Sequence, residues 1–437
     1  MKNNVSPWAW IPTLYMAEGA PYFAVNTLAV LFLSQMGLSN AEVALYTGWL
    51  YLPWVIKPFW SPILDLFGKK RMWVVLMQFI IAIALAGVSF SINLDEWIQS
   101  TLAFFWLCAF ASATHDIAAD GLYILSLDSS QQSFFVGIRN TFYRISTVLC
   151  QWALLKSVQY FHDTLCEEDT IANSAESILA YREAWQINFC LLAVIFALFV
   201  VHHFFLLPKS EKDKASDGKL TNVWESLHDN FKSFSDKFTL KEFVIALLFI
   251  FTYRLGEAQL GKISMLFMKD TIENGGLGLQ IDVVGDVYGL VGVIALMLGG
   301  ILGGIAVSRF GLKKMMFPML LFMNIPNIVY IFLSTTQTVN MPIIYSMVAI
   351  EQFGYGFGFT AFTLYLVYIS QGEYSTTHYA ICTGLMALGM MLPGMIAGFM
   401  QEMLGYTNFF IWVCVCTIPP FIIAPILSID SQFGKKE

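Results

Sequence analysis

Long apolar runs, each close to the length of a bilayer crossing, follow one another along almost the whole chain, separated by short polar interruptions. A helix needs about 20 mostly apolar residues to span the hydrocarbon. About twelve such runs occur, over residues 8–34, 43–66, 71–92, 98–126, 134–160, 184–207, 241–269, 283–308, 313–334, 340–370, 376–402 and 405–428. The runs are continuous, which excludes the roughly 10-residue alternating strands of a membrane barrel. The pattern predicts an all-α polytopic membrane protein with twelve transmembrane helices. The first run follows Lys2, carries Glu18 and lacks a small-x-small cleavage site, so it reads as a retained helix rather than a secretory leader.

The longest charged interruption begins Pro208-Lys209-Ser210-Glu211-Lys212-Asp213-Lys214 and falls after the sixth run. It divides the chain into an N-terminal six-helix bundle (1–207), a linker (208–240) and a C-terminal six-helix bundle (241–437). Within the linker, Trp224, Leu227, Phe231, Phe234 and Phe238 recur at helical spacing, as in an amphipathic helix on a membrane surface. Basic residues favour one side. Lys69, Lys70 and Arg71, then Lys209, Lys212, Lys214, Lys219, Lys232 and Lys237, then Arg309, Lys313 and Lys314, and finally Lys435 and Lys436 share the side of the N-terminus, against Arg182 and Lys269 opposite. The positive-inside rule then puts both termini in the cytoplasm.

Composition agrees with the pattern: 57% of residues are hydrophobic and 13% charged, where soluble domains carry about 25% charge. The net charge of −7 adds little, since acids barely affect topology, and no nucleic-acid partner is expected. The seven cysteines are scattered without a C-x-x-C spacing, so neither a disulfide framework nor a metal site is predicted.

Ionisable residues inside apolar runs mark substrate or ion pathways by default, because an unpaired charge at that depth costs several kcal/mol. The fourth run contains Thr114-His115-Asp116-Ile117-Ala118-Ala119-Asp120, whose two acids lie four apart on one helix face. Glu18 lies in the first run, Lys57 in the second, Arg139 and Arg144 in the fifth, Arg254, Glu257 and Lys262 in the seventh and Glu351 in the tenth. The interiors of the third, sixth, ninth and twelfth carry none. If runs four and five form a hairpin turning near 128–132, equal depth falls where residue numbers add to about 260, which matches Asp120 with Arg139 and Asp116 with Arg144. Asp116, Asp120, Glu18 and Glu257 are the candidate proton-coupling acids. Lys57, His115, Tyr123, Arg139, Arg144, Arg254 and Glu351 are the candidate substrate-binding groups. Permanent ion pairs welding helices together are the competing reading.

The two halves repeat a loop. Ser61-Pro62-Ile63-Leu64-Asp65-Leu66-Phe67-Gly68-Lys69-Lys70-Arg71 stands after the second run, and Gly304-Ile305-Ala306-Val307-Ser308-Arg309-Phe310-Gly311-Leu312-Lys313-Lys314 after the eighth. Repeats at corresponding places in two halves are a transporter signature. The loops resemble the cytoplasmic motif G-x-x-x-D-x-x-G-[RK]-x-[RK] of the major facilitator superfamily, with Ser61 in place of the first Gly and Ser308 in place of the Asp. Asp65, Gly68, Lys69, Lys70, Arg71, Arg309 and Gly311 are therefore the candidate cytoplasmic gate, with Asp65 expected to latch onto a base or a helix end.

Further motifs narrow the resemblance. Lys57-Pro58-Phe59-Trp60-Ser61-Pro62-Ile63-Leu64-Asp65 is similar to K-F-L-W-S-P-x-x-D, Asp116-Ile117-Ala118-Ala119-Asp120 to D-I-A-x-D, Tyr253-Arg254-Leu255-Gly256-Glu257 to Y-K-L-G-D, and Tyr374-Ser375-Thr376-Thr377-His378-Tyr379-Ala380 to F-S-A-T-Q-F-A. These resemble the muropeptide permease (AmpG-like) branch of the superfamily, which also includes the acetyl-CoA transporters. The resemblance implies two pseudo-symmetric six-helix bundles and proton-driven import of peptidoglycan fragments across the bacterial inner membrane. It also implies functional sensitivity at Asp116 and Asp120. Three departures stand out: Glu18 occupies a position that is usually small, His115 replaces a glutamine, and Tyr123 stands about where muropeptide permeases carry an arginine.

The expectation is a monomeric secondary transporter, working on a small-molecule substrate within the lipid bilayer, with the proton gradient as its energy source and no cofactor. The alternatives are a carrier of acyl-CoA or another anionic metabolite, and a polytopic acyl- or glycosyltransferase. No nucleophile, phosphate loop or metal motif supports the enzyme, and no catalytic residue is assigned.

Overall fold

The computed structural model describes residues 5–66, 68–127, 129–166, 174–209, 213, 232–234, 237–371 and 375–435. All regular structure among them is helical. Among the described residues, nine helices are long and apolar enough to cross a membrane by length and composition. The apolar runs at 43–66 and 134–160 fall outside those nine. The first is divided between two shorter helices and the second holds Arg139 and Arg144. One of the nine, Ile381–Ile426, includes a left-handed break at Gly405 (φ 72°).

The chain forms two compact units. Unit 1 comprises Met1–Leu38 and Ile56–Trp224, and unit 2 comprises Ser39–Val55 and Glu225–Glu437. Residues 39–55, N-terminal in sequence, thus belong with the C-terminal bundle.

Unit 1 contains α1 (Ile11–Phe23), α2 (Ala29–Gln35), most of α4 (Leu52–Leu66), α5 (Lys70–Ser91), α6 (Trp97–Ser126), α7 (Ser129–Val148), α8 (Leu154–Leu165) and α9 (Ala175–Leu206). Wide π turns at Ala24–Leu28 and Leu149–Ala153 interrupt the helical runs α1–α2 and α7–α8. Such turns recur at functional sites. One end of the unit is held by aromatic packing, with Phe32 against Trp185 (centroids 5.7 Å apart) and Phe189 (5.5 Å). The indole of Trp185 donates to Gln35 Oε1 at 2.6 Å, so its polar edge is satisfied inside the core. At the other end Asp213, from the linker, accepts from the backbone N–H groups of Lys70 (2.6 Å) and Arg71 (3.1 Å). It thereby caps orphan donors at the start of α5.

Unit 2 contains α3 (Asn40–Trp49), α10 (Leu240–Tyr253), α11 (Leu255–Lys269), α12 (Ile281–Val284), α13 (Val293–Phe310), α14 (Leu312–Asn324), α15 (Ile328–Thr336), α16 (Met341–Ser370), α17 (Ser375–Cys416) and α18 (Ile418–Ile423). α3 opens with a Ser39/Glu42 capping box. It is fastened to α17 by Asn40, whose amide donates to Gln401 Oε1 (2.7 Å) and Tyr406 Oη (2.9 Å), and by Glu402, which accepts from the Ala41 N–H (2.8 Å). Those contacts are why residues 39–55 join this unit.

Glycine sets the approach of α13 to α16. A Cβ on Gly299 would meet the Phe353 carbonyl at 2.1 Å, one on Gly303 the Phe357 carbonyl at 2.8 Å, and one on Gly356 the Leu296 carbonyl at 2.1 Å. Gly299 and Gly303, four apart as in a small-x-x-x-small face, carry this approach, while Gly304 faces open space.

Most of the expected amphipathic linker helix, including Trp224, Leu227 and Phe231, lies outside the described residues. Its last part packs on protein: Phe234 is 4% exposed within the core of unit 2, and Phe238 packs beside it. Ser233 Oγ meets His378 Nε2 at 2.9 Å, and Lys237 donates to the Gln371 carbonyl at 2.6 Å and to His378 Nδ1.

Candidate functional site

In unit 1 the charged side chains at membrane depth converge from four helices. Asp116 and Asp120 of α6 share a face, as the four-residue spacing requires. Lys57 of α4 is ion-paired to Asp116. Arg139 of α7 donates to Asp120 Oδ1 at 2.7 Å and to the Tyr15 hydroxyl at 2.8 Å, while Tyr15 of α1 donates to the same carboxylate oxygen at 2.9 Å. The guanidinium also stacks over the rings of Tyr15 (4.9 Å) and Tyr123 (5.1 Å), so the Asp120 partner is clamped on two sides.

The pairs are not sealed. The side chain of Asp120 is 44% exposed, that of Lys57 30% and that of Arg139 26%. Charges that remain this open at membrane depth face hydrated space. Glu18, one turn along α1 from Tyr15, has a buried Oε2 with no hydrogen-bond partner. His115 points elsewhere: it is fully buried and bonds Gln78 of α5 at 2.9 Å.

Depth counting puts Arg139 level with Asp120, and they pair. It also puts Arg144 level with Asp116, yet among the described residues the ion partner of Asp116 is Lys57. At 3.6 residues per turn, five residues beyond Arg139 turns Arg144 about 140° away from the face that meets α6. Equal depth is not equal direction.

In unit 2 the helical run breaks at Arg254 (φ −109°, ψ 16°), between α10 and α11. Discontinuous helices of this kind line transporter sites. Arg254 is mostly buried, donates to the Tyr355 hydroxyl and stacks over Phe359 at 4.8 Å. Glu257, three residues on, keeps a buried Oε2 with no hydrogen-bond partner among the described residues. Glu351 is 1% exposed and accepts from Tyr330 (3.2 Å) and Gln352 (3.0 Å), with Tyr288 hydrogen-bonded to Tyr330 behind it. Lys262 donates to Thr47 Oγ1 of α3 at 3.1 Å.

In the repeated loops, Gly68 and Gly311 both take left-handed backbone (φ 93° and 84°), the conformation that favours glycine. The side chain of Asp65 lies outside the described residues. Arg71 donates to the carbonyls of Leu207 (3.2 Å) and Phe204 at the end of α9, Lys69 and Arg309 are exposed, and Lys70 is buried. Sequence reasoning missed Tyr15, Gln78, Tyr330 and Asp213. Polar residues within apolar runs were the available signal for the first three, and nothing in the linker sequence singled out Asp213.

Comparison with known proteins fits this architecture. The Major Facilitator Superfamily model matches residues 13–398. The chain is 25% identical over 424 residues, 95% of each chain, to the "Putative transporter AmpG 4" of Rickettsia conorii. It is 24% identical over 384 residues, 85% of this chain and 69% of the relative, to the "Anhydromuropeptide permease" of Escherichia coli K12. The crystal structure of a D-xylose–proton symporter superposes with a TM-score of 0.70 at 12% identity, covering 98% of each chain. These relatives and fold neighbours are transporters, not enzymes. The chain is a membrane transporter and belongs to the Major Facilitator Superfamily.

Proposed function

We propose that this protein imports peptidoglycan fragments, anhydromuropeptides or related amino-sugar saccharides, into the bacterial cytoplasm together with protons. The observation that carries the reading is the clustering in unit 1 of two acids, each with its own cation, around the unpartnered carboxyl oxygen of Glu18. Protonating Asp116 dissolves its pair with Lys57 and frees an ammonium for a substrate carboxylate. Arg139 offers a planar fork suited to the same group. Tyr15 and Tyr123, both buried, hold the guanidinium in place from two sides. The buried Oε2 of Glu18, with no hydrogen-bond partner among the described residues, makes this residue a further candidate proton carrier. The likeness to the Escherichia coli anhydromuropeptide permease supports the substrate class, and the basic loops support an inner-membrane protein with both termini inside.

The test is uptake of labelled anhydromuropeptide into proteoliposomes under an inward proton gradient. Accumulation is expected to vanish when the gradient is collapsed. Asp116→Asn is expected to reach the membrane in normal amount and to lose accumulation by at least tenfold, while binding, measured by thermal stabilisation, persists. Equal uptake with and without the gradient would remove proton coupling. Competition by coenzyme A thioesters but not by muropeptides would move the substrate to an acyl carrier.

A further inference from the structure

One set of polar groups in unit 1 that the proposed site leaves unused forms a continuous chain. His202 Nε2 of α9 lies 3.2 Å from the Ala9 carbonyl and 3.2 Å from Thr13 Oγ1. Thr13 Oγ1 is 2.9 Å from His203 Nε2, His203 Nδ1 is 2.9 Å from Gln78 Oε1, and Gln78 Nε2 is 2.9 Å from His115 Nε2. Four helices contribute, and His203, Gln78 and His115 are each 0% exposed.

With the Gln78 amide oxygen towards His203 and its nitrogen towards His115, donor chemistry sets the hydrogens between these groups. The amide oxygen of Gln78 only accepts, so neutral His203 donates from Nδ1 and receives the Thr13 hydroxyl at Nε2. The amide nitrogen only donates, so neutral His115 accepts at Nε2 and carries its hydrogen on Nδ1. That Nδ1 is buried without a hydrogen-bond partner. An unmet donor in a membrane-embedded core needs a reason.

We propose that His115, Gln78 and His203 are a proton toggle: the chain binds one added proton, at His203 or at His115 but not at both, and the Gln78 amide selects the seat. A proton added at His203 Nε2 makes an imidazolium that donates from Nδ1 to Gln78 Oε1 and from Nε2 to Thr13 Oγ1. The Thr13 hydrogen then turns to the Trp10 carbonyl, already 3.3 Å away. A proton added at His115 Nε2 needs the amide oxygen, so Gln78 must rotate. Its N–H then faces His203 Nδ1, which must give up its hydrogen and keep one on Nε2 towards Thr13. Loading both rings sets an imidazolium N–H against the amide N–H₂, donor against donor.

The charged and titratable groups facing the two seats are Asp116, with Lys57 upon it, next to His115, and the His202 ring, 5.1 Å from that of His203. One seat therefore lies beside the Asp116–Lys57 pair and the other one amide group away, beside His202. The role in transport rests on the proton-coupled reading above, while the toggle itself does not.

The experiment uses full-length protein with ¹⁵N-histidine in lipid nanodiscs, the two rings being assigned with His115→Gln and His203→Gln. At neutral pH both rings are expected as the Nδ1–H tautomer. On acidification, the cationic fractions of His115 and His203 are expected to sum to no more than one. In His115→Gln, His203 alone should reach full charge. In Gln78→Glu, whose carboxylate accepts from both sides, both rings should charge together. Wild-type rings that become fully cationic together while the protein stays folded would overturn the toggle, as would a His203 titration unchanged by His115→Gln. A toggle behaving as stated beside uptake indifferent to the proton gradient would count against coupling alone.

Discussion

At the residue scale, the candidate site of unit 1 is a set of ions that answer one another, Lys57 with Asp116 and Arg139 with Asp120. Lys57 and Asp116 depend on each other more than the fold depends on the pair. Lys57→Ala leaves a carboxylate uncompensated and is expected to lower stability by about 1–3 kcal/mol, below the cost of breaking a fully buried pair because both groups are part-exposed. The double variant Lys57→Ala/Asp116→Ala should recover most of that loss, as read by thermal unfolding in detergent. A double variant as unstable as the sum of the two singles would mean that the ions do not interact. The residue types at the site were legible, because a charge within an apolar run is conspicuous. The Asp120–Arg139 pair was legible from depth. The Lys57–Asp116 pair was not, since it depends on the rotation of α4 against α6, which one helix's spacing cannot report. His115 looked like part of the acid cluster because it precedes Asp116, but adjacent helical residues point about 100° apart, and this one faces α5.

At the element scale, two contacts set how helices meet. α13 and α16 touch backbone to backbone, so Gly299→Val must push against the Phe353 carbonyl. The expected loss is about 1–3 kcal/mol, whereas Gly304→Val, facing open space, should be nearly silent in the same unfolding assay. α5 begins on Asp213, and Asp213→Ala should cost about 1 kcal/mol by uncapping two backbone donors. Asp213→Asn should keep part of it. The glycine face was readable as a spacing of small residues. The cap was not, because it joins the helix start to a residue more than a hundred positions away.

At the scale of the whole molecule, Gly68 and Gly311, at corresponding places of the repeated loops, both take positive φ. The boundary between the two units, at Trp224/Glu225, falls within the charged stretch 208–240. The membership of residues 39–55 was hidden, because Asn40 and Ala41 find their partners some 360 positions later. The linker's end is pinned by Phe234, so Phe234→Ala should loosen it. Cleavage by a protease between residues 214 and 237 is expected to accelerate severalfold in proteoliposomes, and an unchanged rate would show that the pin bears no load. Between α13 and α16, finally, backbone meets backbone at Gly299, Gly303 and Gly356, so a shift of either helix is expected to carry its neighbour with it inside unit 2.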